Sequence, residues 1–184
     1  CWQKVVAGRD HTLALKLDGT IWAWGSNFNG QLGVASSEES IESPAQIGTS
    51  NDWKDISAGG DNSFAIKTDG TLWAWGSNQF GQIGDGLTGL GNNSRSPKKV
   101  GTATDWKSIS AGSTYTMAIK TDGSLWAWGS NLFGQLGFPG SVFVPTRVGA
   151  ATDWKKVSTS VQHTVAIKND GSLWGWGSNS YFQL

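Results

Sequence analysis

TLWAWGSNQFGQIG, residues Thr71–Gly84, is one of four near-copies of a phrase built on Trp-x-Trp-Gly. The other copies occupy Thr20–Gly33, Ser124–Gly137 and Ser172–Leu184, so the phrase recurs about every fifty residues. Self-similarity at this period is the signature of a repeat protein, in which one supersecondary unit packs against its own copies. The chain is therefore predicted to form a single array over residues 1–184, with units at approximately 1–47, 48–100, 101–148 and 149–184.

The spacing of the repeat shows which part of each unit is rigid. From the Trp that starts a unit to the Gly that closes the phrase, the interval is 31 residues in each of the first three units. From the following Pro to the next starting Trp it is 9 residues each time, and only the segment between that Gly and that Pro varies, at 11, 13 and 8 residues. Paired strands do not tolerate insertions, so the variable segment is predicted to be a surface loop.

The composition excludes several classes of protein. Among 184 residues there are 26 Gly and 12 Trp, one Cys (Cys1), and 14 acidic against 14 Lys and Arg residues. Balanced charge gives no long-range attraction to nucleic acid or to anionic lipid. No run is apolar for long enough to cross a bilayer. We therefore expect no nucleic-acid partner and no membrane span.

The second unit shows the strands of one repeat. Ser63–Thr68 alternates large apolar residues with small or polar ones, which is the period-two signal of a strand. Trp53–Gly59 and Thr71–Ser77 are rich in β-forming residues, and a short fourth strand is predicted just after Pro97. Asp69-Gly70 predicts a hairpin with a type I′ turn. The same dipeptide recurs at Asp18-Gly19, Asp122-Gly123 and Asp170-Gly171.

Four short antiparallel strands per repeat, with no helical periodicity, predict an all-β fold. We expect a β-propeller built of four-stranded antiparallel blades. The two tryptophans of each third strand point to one face and smaller residues to the other, so neighbouring blades can nest large face against small face. Four units are part of a larger ring, pair with a second copy or close as four blades, since open ends would expose edges and tryptophans. The third-strand tryptophans are Trp22, Trp24, Trp73, Trp75, Trp126, Trp128, Trp174 and Trp176.

AGRDHTLALKLDGTIWAWGSNFNGQLG, residues Ala7–Gly33, resembles the repeat of the regulator-of-chromosome-condensation family, in a form similar to its bacterial members. The resemblance covers essentially the whole chain, and kelch and WD40 repeats lack the closing GQLG. It implies a propeller, typically of seven blades, that serves as a protein-interaction platform. A secreted or cell-surface bacterial location is favoured over a cytoplasmic one. The chain departs from the family at Asn62 and Tyr115, which replace the His seen at His11, and at Phe182, which replaces a Gly.

No catalytic constellation accompanies these repeats. The two histidines fall in different units, with no Cys or carboxylate at metal-ligand spacing. Nucleophile-elbow, Walker and HExxH motifs do not occur. Turn chemistry explains the hairpin aspartates without an acid–base role. The prediction is a non-enzymatic protein with no cofactor and no metal.

The variable loops are the predicted recognition sites, because the scaffold is repeated and the loops are not. They span Val34–Ser43, Asp85–Ser96 and Phe138–Val144. The first is acidic, the second ends in basic residues, and the third is apolar with two aromatics, which suits an anchor in a protein interface. The candidate partner-binding residues are Glu38, Glu39, Glu42, Arg95, Phe138, Val142 and Phe143.

Carbohydrate binding is the alternative function. Aromatic pockets between blades could stack against sugar rings, with the Ser-Asn pair after each third strand supplying polar contacts. The same pairs could instead cap the third strand and hold the loop that follows, which is the favoured interpretation. The pairs are Ser26-Asn27, Ser77-Asn78, Ser130-Asn131 and Ser178-Asn179.

Overall fold

Fifteen strands and one 3₁₀ turn, Leu90–Asn92, make up the regular structure of the computed structural model, which describes residues 1–184. No helix here is long and apolar enough to cross a membrane. The strands are β1 (Trp2–Ala7), β2 (His11–Lys16), β3 (Ile21–Ser26), β4 (Ser40–Gln46), β5 (Trp53–Ala58), β6 (Asn62–Lys67), β7 (Leu72–Gly76), β8 (Ser94–Lys99), β9 (Trp106–Ala111), β10 (Tyr115–Lys120), β11 (Leu125–Gly129), β12 (Val142–Arg147), β13 (Trp154–Thr159), β14 (His163–Lys168) and β15 (Leu173–Gly177).

The strands form four antiparallel sheets in simple chain order: blade 1 (β1–β4), blade 2 (β5–β8), blade 3 (β9–β12) and the three-stranded blade 4 (β13–β15). The first strands of neighbouring blades lie next to one another, β1 by β5, β5 by β9 and β9 by β13, and so line the axis. Strands β4, β8 and β12 form the rim. The predicted all-β propeller of antiparallel blades is confirmed, as an open arc of three four-stranded blades and one three-stranded blade.

Each blade packs its tryptophan face onto the aliphatic face of the blade before it. Leu13 and Ile21 of blade 1 share a core with Trp53 and Trp75 of blade 2. Two equivalent cores lie between blades 2 and 3 and between blades 3 and 4. The predicted nesting of large face against small face is therefore what holds the arc together.

The two ends of the arc are uncovered. Trp2 is 50% exposed, whereas its counterpart Trp53 is 5% exposed. On blade 4, Leu173 is 72% exposed, whereas the corresponding Leu72 is fully buried. These two surfaces, called here the blade 1 face and the blade 4 face, lack the neighbour that every internal surface has.

The Asp-Gly hairpins form, but with a different turn from the predicted type I′. Gly19 N–H donates to the carbonyl of Lys16 and Lys16 N–H to that of Thr20, which is a three-residue loop. Only the glycine has positive φ, at 80°, so the turn is type I followed by a left-handed residue. Asp18 keeps a negative φ, and its carboxylate accepts hydrogen bonds from the Thr20 N–H and hydroxyl.

The fourth strands begin earlier than predicted. Strand β8 starts at Ser94, so Pro97 lies inside the strand rather than before it, and Pro44 and Pro145 occupy the same place in β4 and β12. These strands are the outer edges of their sheets. A proline there removes a ladder donor from an exposed edge and so hinders pairing with another chain.

Candidate functional site

The turns of each blade separate onto two faces of the arc. Ser26 N–H donates to the Asp10 carbonyl over 2.8 Å, which joins the β3–β4 loop to the β1–β2 loop. Trp53 N–H donates to the Gly19 carbonyl over 3.1 Å, which joins the Asp-Gly hairpin to the link between blades. We call the first side the loop face and the second the hairpin face. All three predicted recognition loops emerge on the loop face.

Buried asparagines shape the β3–β4 loops. The side-chain amide of Asn27 donates to the carbonyls of Ser36 and Glu38, and its oxygen accepts the Leu32 N–H over 3.2 Å. Asn78 and Asn131 make the same kinds of contact in blades 2 and 3. The Ser-Asn pairs thus hold the loop, as favoured above, and these amides are occupied by the loop rather than turned to a ligand.

Two hydrogen bonds to one backbone carbonyl, together called here the latch, join each blade to the next. The backbone carbonyl of Gln31 accepts the Trp75 indole N–H over 3.0 Å and the Ser63 hydroxyl over 2.7 Å. Ser63 and Trp75 face each other on neighbouring strands of blade 2. Gln82 accepts in the same way from Trp128 and Thr116, and Gln135 from Trp176 and Thr164.

A groove opens on the loop face between blades 2 and 3. Phe80, Leu132 and Phe143 form its apolar walls, around a volume of about 270 Å³. Leu132 is 78% exposed and Phe143 38%. Its remaining lining is polar but uncharged, from Gln79, Thr88, Ser130 and Ser141. We call this feature the 2/3 groove; Phe143 is the predicted binding residue that lines it.

Arg95 occupies the matching place between blades 1 and 2, where its side chain forms hydrogen bonds with the scaffold. Arg95 and Phe143 each stand two residues before the rim proline. The Arg95 guanidinium donates to the backbone carbonyls of Asn27, Ser36 and Phe28 at 3.2–3.3 Å. Arg95 thus clamps the first loop to blade 2, while the residue itself remains exposed; its part in partner binding stays a prediction.

The other candidates divide between core and solvent. Phe138 and Val142 are half-buried and pack against the core between blades 3 and 4, and Val142 also reaches the core before it. Glu38, Glu39 and Glu42 are exposed and form no ion pair. Of the apolar candidates, only Phe143 presents its side chain to the loop face.

A lysine held between two tryptophans is a feature that the sequence analysis did not identify. The Lys67 ammonium lies 4.8 Å from the Trp53 ring centroid and 5.2 Å from that of Trp73, with Asp52 Oδ1 at 3.0 Å. The signal was present, since a lysine stands two residues before every Asp-Gly and an aspartate before three of the starting tryptophans. The equivalent lysines are Lys16, Lys120 and Lys168.

His11 is a structural histidine of the junction between blades 1 and 2. It is 4% exposed, and its Nε2 lies 2.8 Å from Ser63 Oγ. Because that hydroxyl donates to Gln31, it accepts from His11, which places the proton on Nε2. Nδ1 is buried without a partner. Burial lowers the pKa of His11 from 6.5 to about 4, against a smaller opposing effect of Asp10.

The hairpin aspartates serve their turns. Hydrogen bonds from Thr71 lower the pKa of Asp69, and Asp18, Asp122 and Asp170 are affected in the same way by the residue two positions on. The hydroxyl that donates to each carboxylate accepts in turn from a tryptophan, as Thr71 does from Trp73. The structure contains no group of three or more His, Cys, Asp or Glu side chains arranged to hold a metal ion.

The sequence model of the RCC1-like domain matches residues 2–184. The chain belongs to the RCC1-like family. Human HERC6, named a probable E3 ubiquitin-protein ligase, is 34% identical over 140 residues, which are 74% of this chain and 14% of that protein. The Arabidopsis thaliana ultraviolet-B receptor UVR8 is 30% identical over 73% of this chain and 31% of its own length. This RCC1-like chain thus spans less than a third of these relatives.

Solved structures show the same arc within larger propellers. Yeast RCC1 (Prp20), crystallised with Kap60, superimposes with a TM-score of 0.85 at 26% identity, over 97% of this chain and 44% of that one. Human WBSCR16 gives a TM-score of 0.84 at 22% identity, over 96% and 47%, and shows likeness of fold alone. The RCC1-like chain therefore matches somewhat less than half of each of these structures.

Proposed function

We propose that this chain is a non-enzymatic scaffold that recognises another protein through the β3–β4 loops of its loop face. The observation that carries this proposal is the 2/3 groove, an exposed apolar recess between two recognition loops. Elsewhere on the loops, the side chains of Asn27, Asn78 and Arg95 form hydrogen bonds within the scaffold. Apolar recesses ringed by uncharged polar groups suit a buried aromatic or aliphatic anchor from a partner.

Relatives support a binding role. The yeast RCC1 structure holds Kap60, and a second yeast Prp20p structure is described together with binding to Gsp1p and histones. This chain covers 44–45% of those propellers, so the identity of a partner is not carried over. The relatives support only the general statement that such a propeller is a surface to which other proteins bind.

A phage-displayed library of random peptides tests the groove directly. Peptides selected on the natural chain should carry an aromatic or aliphatic anchor and should bind the double variant Leu132→Ser/Phe143→Ser at least about tenfold more weakly. Phe28→Ser, at another exposed aromatic of the loop face, is the matched control and should leave binding unchanged. Equal binding to both variants would contradict the proposal. Thermal melting checks that the variants remain folded.

Carbohydrate binding is the second candidate, and one pocket favours it. Between blades 1 and 2 a recess of about 280 Å³ is lined by Trp53, Trp73 and Lys67, with Ser50 as a polar neighbour. Trp53 is buried, but the part-exposed ring of Trp73 beside the Ser50 hydroxyl is able to hold a sugar by stacking and hydrogen bonding. Binding on a glycan array that is lost in Trp73→Leu would support this candidate over protein recognition.

A further inference from the structure

A second recess opens on the loop face, one junction before the 2/3 groove. It lies between blades 1 and 2, encloses about 450 Å³ and is lined by Phe28, Leu90, Asn93 and Arg95 among others. Arg95 is the one ionisable residue in its lining, whereas the lining of the 2/3 groove has none. We call it the Arg95 recess. The two neighbouring sites thus differ in charge.

The charge of Arg95 is not neutralised within the molecule. Its three hydrogen bonds go to the uncharged backbone carbonyls of Asn27, Ser36 and Phe28. Its guanidinium forms no ion pair with a carboxylate. A guanidinium has five N–H donors, so two remain after these three bonds. The residue that clamps the first loop therefore still offers a cation and two donors, which suit a carboxylate from outside the molecule.

A narrow ridge separates the Arg95 recess from the 2/3 groove. Thr88 lines the groove and Leu90, two positions later, lines the recess. A chain extends by at most about 3.6 Å per residue, so the backbone of this ridge spans no more than about 7 Å. Gly89 at its centre carries no side chain, and its N–H donates to the Gln79 carbonyl over 3.2 Å. One short segment of a partner is therefore able to reach both sites.

Given the recognition of a protein by the loop face, on which this step rests, we propose that the partner presents a linear segment with two anchors. An aromatic or aliphatic side chain enters the 2/3 groove, and an Asp or Glu side chain pairs with Arg95 across the ridge. An extended segment advances about 3.3 Å per residue, so roughly two to four residues separate the two anchors. The apolar anchor supplies most of the affinity, and the charge pair selects among partners.

Selection of a phage-displayed library of random linear peptides on the natural chain is the first test. Enriched peptides should share an apolar residue and an Asp or Glu, at one constant spacing of roughly two to four residues. Peptides that need Leu132 and Phe143 but have no preferred acidic position overturn this inference and leave the proposed function standing. A library without binders, or binders that ignore Leu132→Ser/Phe143→Ser, contradicts both.

Fluorescence anisotropy with the most enriched peptide then measures the charge contact. Replacing its Asp or Glu by the corresponding amide should raise Kd for the natural chain about fivefold at low salt, and less at high salt. Arg95→Gln should raise Kd for the acidic peptide by a similar factor and leave Kd for the amide peptide unchanged. Because the amide substitution is made in the peptide, it tests the contact even if Arg95→Gln disturbs the first loop.

Lys99→Gln is the matched control, since it removes another exposed cation of strand β8. It should bind both peptides as the natural chain does. Phe28→Ser should do the same, because it leaves the guanidinium of Arg95 in place. Equal Kd values for the acidic and the amide peptide on the natural chain overturn the inference. So does an Arg95→Gln effect that is the same for both peptides, or a loss in Lys99→Gln as large as that in Arg95→Gln.

Discussion

The indole nitrogen of Trp128 donates to the backbone carbonyl of Gln82 over 2.8 Å, across the junction of blades 2 and 3. The Thr116 hydroxyl donates to the same oxygen over 3.0 Å. Trp128 and Thr116 are both fully buried, so water cannot replace either donor. The carbonyl therefore depends on the next blade for both of its hydrogen bonds.

Replacing Trp128 by Phe should lower the free energy of unfolding by about 2–3 kcal/mol, since it removes one of the two hydrogen bonds to a buried carbonyl and loses packing. Trp24→Phe is the matched control, because the equivalent indole lies on the uncovered blade 1 face. We expect it to cost less than about 1 kcal/mol. Urea unfolding of both variants measures the difference, and equal costs would show that the latch contributes little.

Comparing the stability of Gly84→Ala with that of Gly101→Ala separates the cost of close packing from the cost of backbone strain. Gly84 has φ at 84°, and a Cβ there would lie 2.7 Å from Trp128 Nε1. Gly101 has φ at 60° with nothing within 4 Å. We expect Gly101→Ala to cost about 1 kcal/mol from strain alone and Gly84→Ala about 2 kcal/mol more from overpacking. Similar thermal melting of the two variants would rule out the close approach.

His11 should make stability depend on pH between about 6.5 and 4. In that window the unfolded chain binds a proton that the folded chain, with its pKa of about 4, does not. Stability is therefore complete above 6.5 and falls as the pH decreases, by up to about 3 kcal/mol for this group. The control is His11→Asn, which places at position 11 the residue found at Asn62. Parallel pH profiles of the two proteins in urea unfolding would exclude this linkage.

Lys67→Met should cost about 1–2 kcal/mol, because it removes a cation from between Trp53 and Trp73 and breaks the pair with Asp52. Lys16→Met should cost roughly half as much. Lys16 has Cys1 where the others have an aspartate, and Trp2 beside it is half exposed. Chemical unfolding compares the two. A neutral or stabilising Lys67→Met would mean that desolvation of the charges outweighs their attraction.

The repeat made the fold readable from sequence. Strand order, hairpins, blade nesting and the position of the loops all follow from spacing and alternation in the Trp-x-Trp-Gly phrase. The turn type was wrong, because a type I turn with a left-handed glycine uses the same Asp-Gly pair as type I′. Its choice depends on contacts such as those of Asp18 with Thr20, which the dipeptide does not reveal.

The candidate site was less readable. Arg95 and Phe143 share a repeat position, yet one clamps three carbonyls and the other walls a groove. Phe138 is as aromatic as Phe143 but packs on the core. Tertiary packing decides which loop side chains contact the neighbouring blade. The sequence of a loop has no periodicity from which those contacts could be predicted. The Lys67 site could have been predicted from the sequence, because its lysine and tryptophans recur at fixed positions of the repeat.

Both halves of every junction lie inside the repeated unit: the donors on its second and third strands, the acceptor in the turn that follows. The acceptor is a main-chain atom, so the contact recognises the course of a turn and not the identity of a side chain. Duplicating one unit would thus bring a working junction with it, with no matching substitutions needed in its neighbours. Proteins of this kind can lengthen by copying alone, while each new copy acquires a loop free to diverge.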